Sequence, residues 1–407
     1  MKKAITLKGH SFVDRDGKPV VLNGINVVCK KPQLGFIFPM GELDWDRMKR
    51  WKIDLVRLGI NWSGLEPVAG VIDEYYLDRI EKAVREYEAH GIPVFLDMHQ
   101  DLYGIKYSNG APYWACLDGG KPHTRKGEWY NSYHMSEAVQ AAEDAFWANT
   151  PACDGVGLID HFAAVWHRIA VKFADDPNVI GYDIINEPIQ GSPCREVGRT
   201  LLTALADWQT EVRGRKVTYE EAYELYWNQP EYHACLVNLT PEKCLELENR
   251  ALPLCRAFDT EILQPFYEKI ASRIREADKE SIIFLCNSNQ TNNGTASSLK
   301  PIVVNGERDP LQVFACHAYD LITDAPNQAA YRQDRINAMF EQHFALAAQY
   351  DWPVLVGEWG AFPRESFTSL KKYRETREFL ASHGISQTYW CYESDSESPY
   401  FLDEYFS

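Results

Sequence analysis

Two glutamates end apolar runs of the sequence and could work as a pair. The stretch IGYDIINEPI (180–189) suits a buried strand until it reaches Asn186, Glu187 and Pro188, and LVGEWG places Glu358 in a similar position. One acid at a strand end usually marks only the boundary between core and solvent. Two facing carboxyl groups, however, can cleave a glycosidic bond, since one protonates the departing oxygen while the other meets the positive charge at the anomeric carbon.

Other polar and aromatic residues follow apolar runs in the same way. They are Arg57, His99, Asn186, His317, Tyr319 and Trp390. If the runs are parallel strands of one barrel, their carboxyl ends meet at one rim, where barrel enzymes place their active sites. These side chains are therefore expected to surround the two glutamates, with Trp390 as a flat apolar plate for a sugar ring.

Eight short apolar runs alternate with amphipathic helical patterns. Continuous apolar strands are typical of sheets buried on both faces, and the eight strand-and-helix units favour a (β/α)8 TIM barrel over a doubly wound sheet. The predicted strands are VLNGIN (21–26), DLVRLGI (54–60), PVFLDMH (93–99), VIGYDII (179–185), SIIFLC (281–286), LQVFACHAY (311–319), PVLVGEW (353–359) and SQTYWCY (386–392).

The chain is predicted to form one α/β domain over residues 1–407, without a β-sandwich after the barrel. Two long insertions stand out, 100–157 after the third strand and 189–258 after the fourth. Loops this long in a compact domain are commonly functional. The second insertion has a helical, acidic pattern that is more typical of a lid or a subunit contact than of a catalytic part.

Composition excludes several classes of partner. The formal net charge is −16, and no basic run occurs, so nucleic acid is not expected to bind. No apolar run approaches the length of a transmembrane helix, and the N-terminus does not resemble a signal peptide. We expect a cytoplasmic protein, or a secreted one if a leader was removed. The sequence leaves the oligomeric state open.

No metal or cofactor is expected. Two rim histidines on different strands, without a third ligand, are too few for a metal-dependent hydrolase. The ten cysteines are scattered without a CxxC pair, which indicates reduced thiols. Cys194, Cys235, Cys244 and Cys255 are the exceptions most open to disulfide pairing, because they crowd one polar region.

The combined motifs resemble glycoside hydrolase family 5, the cellulase-like retaining (β/α)8 hydrolases. The resemblance runs from GHSFVDRDGKPVVLNGINV to QTYWCYES and includes VRLG, NEP, HAY, GEWG and the final-strand Trp in that order. Within the family, FLDMHQDLYG (95–104) and NGAPYWA (109–115) are similar to the endoglycoceramidases and related glycolipid β-glycosidases. The resemblance implies hydrolysis of a carbohydrate or glycolipid substrate.

Roles follow from this resemblance together with the chemistry of the residues. Glu187 would be the general acid and later the base, and Glu358 the nucleophile. Arg57 would keep Glu358 ionised while Tyr319 donates a hydrogen bond to it, and Asn186 would reach the sugar 2-hydroxyl. His99 and His317 would bond the sugar or the acid/base residue. Asp101 would accept a hydrogen bond from a glucose hydroxyl, and Lys31 is a weaker candidate for a similar contact.

The aglycone side is predicted from the segment between Tyr103 and Tyr133, which is rich in aromatic residues. Gly110, Ala111 and Pro112 precede Trp114 and would form a shallow apolar surface for a lipid chain, and Trp114 is predicted to bind that apolar aglycone. Alternatively the aromatic residues pack the loop onto the barrel.

The residues also bear on two other functions. A binding protein on an inactive barrel would lack one of the two acids, and both are present. An exo-acting β-glucosidase on small aryl, flavonoid or steroid glucosides or on oligosaccharides stays open, because endo or exo action depends on loop closure.

Overall fold

The computed structural model describes residues 2–323, 325, 328–362, 366–394 and 398–406. Its strands are β1 Ile5–Lys8, β2 Ser11–Asp14, β3 Asn23–Val27, β4 Leu55–Ile60, β5 Val94–Met98, β6 Val179–Asp183, β7 Ile282–Cys286, β8 Val303–Val304, β9 Glu307–Arg308, β10 Gln312–His317, β11 Val354–Trp359 and β12 Ser386–Tyr389. Its α-helices are α1 Glu42–Arg50, α2 Trp62–Leu65, α3 Glu74–Ala89, α4 Asn131–Met135, α5 Glu137–Trp147, α6 Leu158–Phe173, α7 Cys194–Arg213, α8 Tyr219–Trp227, α9 Gln229–Leu236, α10 Pro241–Glu248, α11 Leu252–Phe258, α12 Gln264–Arg275, α13 Gln333–Gln349, α14 Phe367–Ser382 and α15 Ser398–Tyr405.

Eight of these strands close into a barrel, which confirms the predicted fold. The order around the barrel is β10, β11, β12, β3, β4, β5, β6 and β7, and β7 closes it by pairing with β10. Every neighbouring pair is parallel. Each of the eight apolar runs identified in the sequence supplies one strand, so all carboxyl ends point to the same rim.

Side chains alternate between the barrel interior and the surrounding helices. On β5, Phe95 stacks on Phe284 inside the barrel at 4.2 Å between ring centroids, and Asp97 bonds Arg57 there. Leu96 and Met98 between them belong to the layer that packs against the helices. This period of two is a general property of strands. It decides which residue of each strand end reaches the site.

An antiparallel hairpin of β1 and β2 lies at the amino-terminal end of the barrel. Ile5 and Phe12 pack in one apolar cluster with residues inside the amino-terminal end of the barrel, such as Leu55 and Phe95. Lys3 adds hydrogen bonds from its Nζ to the carbonyls of Phe173 and Asp176. The hairpin thereby covers the end opposite the candidate site.

Both insertions carry helices of their own. The 100–157 insertion contains α4 and α5, and the 189–258 insertion contains α7 to α11 before α12 returns to the barrel. Helix α8 begins with a capping box between Thr218 and Glu221, a local signal readable in the sequence. The Tyr226 hydroxyl donates to Asn131 Oδ1 at 2.7 Å, so the two insertions contact one another above the barrel.

Two further expectations concern the whole chain. Among the residues that the structure describes, no helix combines the length and apolar character needed to cross a membrane. Cys194, Cys235, Cys244 and Cys255 form no disulfide. Three of these four thiols are fully buried and Cys235 is half-buried, so they pack as small apolar side chains.

Candidate active site

The two glutamates lie together at the carboxyl rim. Glu187 follows β6 and Glu358 is on β11. One carboxylate oxygen of each lies within 4.8 Å of the other, with a ring nitrogen of His317 inside the same limit. Retaining glycosidases hold their two carboxyl groups about 5 to 5.5 Å apart, whereas inverting enzymes leave room for a water between them. The spacing therefore fits a retaining mechanism.

Arg57 forms the charged floor beneath Glu358. Its Nη1 lies 2.6 Å from Glu358 Oε1, its Nη2 2.8 Å from Asp97, and its Nε 2.8 Å from Asp183. The guanidinium is fully buried, and burial would be costly without these carboxylates. Nη2 also donates to Asn186 Oδ1 at 2.9 Å. The predicted contact between Arg57 and Glu358 is thus present, while Asp97 and Asp183 were not anticipated.

Glu187 is held by uncharged donors. Asn289 Nδ2 donates to its Oε2 at 2.9 Å, Asn292 Nδ2 to its Oε1 at 2.7 Å, and His317 Nδ1 lies 2.9 Å from Oε1. Its backbone has a φ of 41°, a region that L residues seldom adopt and that recurs at functional sites. Burial, followed by the charge of Asp101, raises the pKa of Glu187 to about 7.

Contacts with charged groups distinguish the two acids. Burial also raises the pKa of Glu358 to about 7, against the lowering effect of the positive charge of Arg57. His317 supplies no fixed positive charge, because burial lowers its pKa to about 3. Arg57 touches Glu358 directly, and Tyr319 places its hydroxyl 3.1 Å from Glu358 Oε2. A proton shared by the pair is therefore favoured on Glu187, with Glu358 ionised.

One wall of the cavity contains His99, Trp390, Asp101 and a lysine. His99 stacks on Trp390 at 5.3 Å, and its Nδ1 lies 2.7 Å from Asp97. Its Nε2 has no hydrogen-bond partner among the described residues, which leaves an acceptor for a sugar hydroxyl. Asp101 pairs with Lys30; burial alone would raise the pKa of Asp101, but Lys30 brings it below its usual range.

The lysine at this wall is Lys30, which corrects the prediction of Lys31. Lys30 lies 4.7 Å from the Trp390 ring centroid and lines the cavity, whereas Lys31 lies beside Phe38. Asn26 bonds Arg57 inside the barrel, and Ile25, Val27 and Cys29 pack on the helix side. Extending this alternation beyond the end of β3 at Val27 would have pointed to Lys30.

Trp114 does not line the cavity, contrary to expectation. Its Nε1 donates to the Glu66 carbonyl at 2.9 Å, and its ring packs on Trp62 at 5.6 Å and His161 at 4.7 Å. Ala111 beside it is 2% exposed, and Gly110 has a φ of 119°. The stretch before Trp114 is therefore interior packing and not a surface for a lipid chain.

The other aromatic residues of this loop divide into two groups. Trp129 and Tyr130 line the cavity. The Tyr107 hydroxyl donates to Asp118, and the Tyr133 hydroxyl accepts from the Leu102 amide, so both pack the loop onto the barrel. Tyr113 is exposed. The predicted lining role therefore holds for Trp129 and Tyr130, and the alternative packing role holds for Tyr107 and Tyr133.

A cavity of about 530 Å³ begins at the two glutamates and extends beneath the 189–258 insertion. Its far part is lined mainly by apolar and aromatic residues, with a few polar ones such as Arg195, Arg199 and His233. This lining role was not predicted from the sequence. The insertion residues that line it include Leu201, Leu202, Leu205, Trp208, Tyr219, Tyr223, Tyr226, Trp227, Tyr232, Leu236, Leu239, Leu247 and Glu248. An available signal was the aromatic spacing in YEEAYELYW, where Tyr219, Tyr223 and Trp227 recur every fourth residue and so share one helix face.

A divalent cation could use donor atoms at the centre of the site. They belong to Glu187, His317 and Glu358, which approach one another there. The Arg57 guanidinium at 2.6 Å from Glu358 opposes a second positive charge there. The arrangement instead suits a site where positive charge develops transiently on a sugar.

A (β/α)8 barrel with paired carboxyl groups at its carboxyl rim defines the class of barrel glycosidases. A model of the cellulase family (glycosyl hydrolase family 5) matches residues 13–396 of the chain. The chain belongs to this family. Family membership, together with the barrel and the rim residues, confirms the resemblance inferred from the motifs.

Among similar proteins, endoglycoceramidase I of Rhodococcus hoagii is 32% identical over 242 residues, which are 54% of this chain and 46% of that protein. A glucosylceramidase of Cryptococcus neoformans is 26% identical over 249 residues, 46% of this chain and 33% of that protein. Endoglycoceramidase II from Rhodococcus sp., solved with a five-membered iminocyclitol, superposes with a TM-score of 0.69 at 25% identity and covers 94% of this chain and 75% of that chain. The chain spans less than half the length of the two curated relatives.

Proposed function

We propose that the chain is a retaining β-glycoside hydrolase whose substrate is a glycolipid. The observation that carries this proposal is the continuity of the site: two carboxyl groups at retaining distance open directly into an apolar and aromatic cavity. A sugar bound at the carboxyl groups would project its aglycone into that cavity. The names of the similar proteins, which include endoglycoceramidases and glucosylceramidases, support the same substrate class.

The reaction would proceed in two displacements. Ionised Glu358 attacks the anomeric carbon while the Glu187 carboxyl protonates the glycosidic oxygen, so the aglycone leaves as an alcohol and a glycosyl ester forms on Glu358. Ionised Glu187 then takes a proton from water, which attacks the same carbon and frees Glu358. Arg57 and Tyr319 hold the oxygens of Glu358, and Asn289 and Asn292 orient Glu187.

The roles of the two acids can be tested by azide rescue. Glu358→Ala should abolish hydrolysis of an activated aryl β-glycoside, and azide should restore turnover with an α-glycosyl azide as product, because azide replaces the missing nucleophile. Glu187→Ala should still form the glycosyl ester from good leaving groups, and azide should then give the β-product. Products with the opposite configurations would reverse the assignment.

The substrate class can be tested on the wild-type protein by product analysis with an aryl β-glucoside, an aryl β-lactoside, glucosylceramide and a ganglioside. Release of an intact oligosaccharide from the ganglioside would show endo action on a glycolipid. Cleavage of the glucosides alone would establish an exo-acting β-glucosidase. Glu246→Ala, on an exposed position of α10, is a matched control for the two active-site variants.

A further inference from the structure

Glu248 lines the apolar part of the cavity, and the proposed mechanism does not use it. Asp320 also lines the cavity but is paired with Arg335. Glu248 is the last residue of α10, and its side chain lines the cavity together with Leu247 and Tyr232. It makes no side-chain hydrogen bond or ion pair with the residues that the structure describes. The side chain is half-buried, and without a partner in the described part of the chain its carboxyl group is available to a polar group of a ligand in the cavity.

The position of Glu248 is well defined by contacts to the loop that holds Glu187. The Thr295 hydroxyl donates to the Glu248 carbonyl at 3.0 Å, and Asn249 donates to the Gly294 carbonyl at 3.2 Å while accepting from the Ala296 amide at 2.9 Å. A Cβ on Gly294 would lie 3.5 Å from Glu248 Cγ. Asn292, two residues earlier, bonds Glu187, so the turn after α10 packs against the catalytic loop.

The protonation state of Glu248 follows from the same surroundings. Burial raises its pKa to about 8. At neutral pH the side chain is then mainly a carboxylic acid, which can both donate and accept a hydrogen bond. The phenols of Tyr226 and Tyr232 are close enough to interact electrostatically with it, and neither supplies a positive charge.

We propose that Glu248 is a specificity-determining residue which hydrogen-bonds a hydroxyl or amino group on the aglycone. The cavity would then select amphiphilic aglycones that carry such a group over plain hydrocarbon chains of equal length. This inference rests on the proposed function, since it assigns the aglycone of that reaction. Aromatic side chains would hold the hydrocarbon part, and Glu248 would set the position of the polar group.

The test compares three series of β-glucosides, from butyl to dodecyl, whose alkyl chains end in a methyl, a hydroxyl or an amino group. For wild-type protein, kcat/KM should be about fivefold to tenfold higher for a hydroxyl- or amino-terminated member than for its plain analogue at the chain length that reaches Glu248. Glu248→Leu should remove that preference through KM. Glu248→Gln should keep a hydroxyl preference, because an amide also donates and accepts, and should weaken an amino preference, because it cannot ionise.

Two controls separate recognition from packing. Glu246→Leu changes an exposed acid on the same helix, and Glu246 pairs with Lys243. This variant should leave the kcat/KM ratio of each hydroxyl- or amino-terminated glucoside to its plain analogue unchanged. Glu246→Leu should also hydrolyse an aryl β-glucoside at the wild-type rate, and for each Glu248 variant this substrate gives the reference rate against which the alkyl glucosides are compared. Equal losses on plain and hydroxylated chains in Glu248→Leu, or no preference in wild-type protein at any length, would overturn the inference while leaving the hydrolase in place. Failure of wild-type protein to cleave any glycoside would overturn the proposed function and this inference with it.

Discussion

Glu187 combines two features that oppose its ionisation. It is 8% exposed, and its neighbours include Asp101 but no direct cation, so its pKa rises to about 7. Glu358 shares the burial but touches Arg57 at 2.6 Å. A general acid with a pKa near the working pH is what protonation of a leaving group requires. Because the pKa of Glu358 is also raised to about 7, the direct contact with Arg57, and not the pKa, separates the roles.

The raised pKa of Glu187 predicts how stability changes with pH. Because the folded state holds the proton more tightly than the unfolded chain, the associated stability is fully present below the ordinary value of 4.5 and is lost as pH rises through about 7. The loss amounts to at most about 3 kcal/mol. Glu187→Gln, which cannot titrate, should therefore become more stable relative to wild type as pH rises across this window.

Urea unfolding of both proteins at a series of pH values measures this difference directly and needs no substrate. The relative stability of the variant should rise between about pH 4.5 and pH 7 and then level off. A difference that stays constant with pH would show that Glu187 is not destabilised as an anion in the folded protein.

At the scale of elements, the 189–258 insertion forms the distal wall of the cavity. Helix α8 presents Tyr223 and Trp227 to it, and Lys126 from the other insertion lies 3.9 Å from the Trp227 ring centroid. The sequence pattern of this segment is more typical of a lid or a subunit contact than of a catalytic part, and it does not predict a lining role. Helices α7, α8 and α9 instead provide most of the aromatic residues on which an apolar aglycone would lie.

A pair of tryptophan variants distinguishes lining from packing. Trp227→Ala should lower kcat/KM for a glycolipid by about tenfold or more through KM, because aromatic surface in contact with the aglycone is lost. It should leave a small aryl glucoside within a few fold, since binding outside the reacting sugar does not affect the chemical step.

Trp114→Ala is the matched comparison. Trp114 packs on Trp62 and His161 outside the cavity, so its removal should cost about 3 kcal/mol of unfolding free energy and affect both substrates equally. Unfolding and steady-state kinetics on both variants provide the readout. A selective loss on the glycolipid in Trp114→Ala, with none in Trp227→Ala, would place the aglycone on the other side of the rim.

In the molecule as a whole, residues that stabilise the barrel and the candidate catalytic residues lie at opposite ends. The β1–β2 hairpin covers the amino-terminal end, where Phe12 is 4% exposed and packs with residues inside that end of the barrel. The paired carboxyl groups lie at the carboxyl end. Barrel enzymes generally separate these two tasks in this way.

This separation predicts the effect of a change at the hairpin. Phe12→Ala should reduce the free energy of unfolding by about 3 kcal/mol, because it leaves a cavity in a packed cluster. It should leave kcat and KM unchanged for the folded protein. Denaturant unfolding gives the first quantity and kinetics well below the transition midpoint gives the second; a changed KM would indicate that the hairpin and the rim are coupled.

The sequence by itself determined the barrel and its two acids. Eight apolar runs of strand length, each followed by a helical pattern, are compatible with few folds, and in parallel strands the residues that end each run must meet at one rim. Glu187, Glu358, Arg57, His317 and Tyr319 could therefore be placed together without coordinates. Strand alternation, followed from Asn26, would also have selected Lys30 over Lys31.

Only the tertiary structure decided which loop residues face the cavity. Trp114 and Trp227 are both aromatic residues in long insertions, yet one packs on Trp62 and the other lines the cavity. An aromatic stripe on a helix has the same local pattern whether it faces a core or an open cavity. The choice depends on contacts between segments far apart in the chain, such as the Tyr226 hydroxyl with Asn131, and such contacts leave no periodic signal in the sequence.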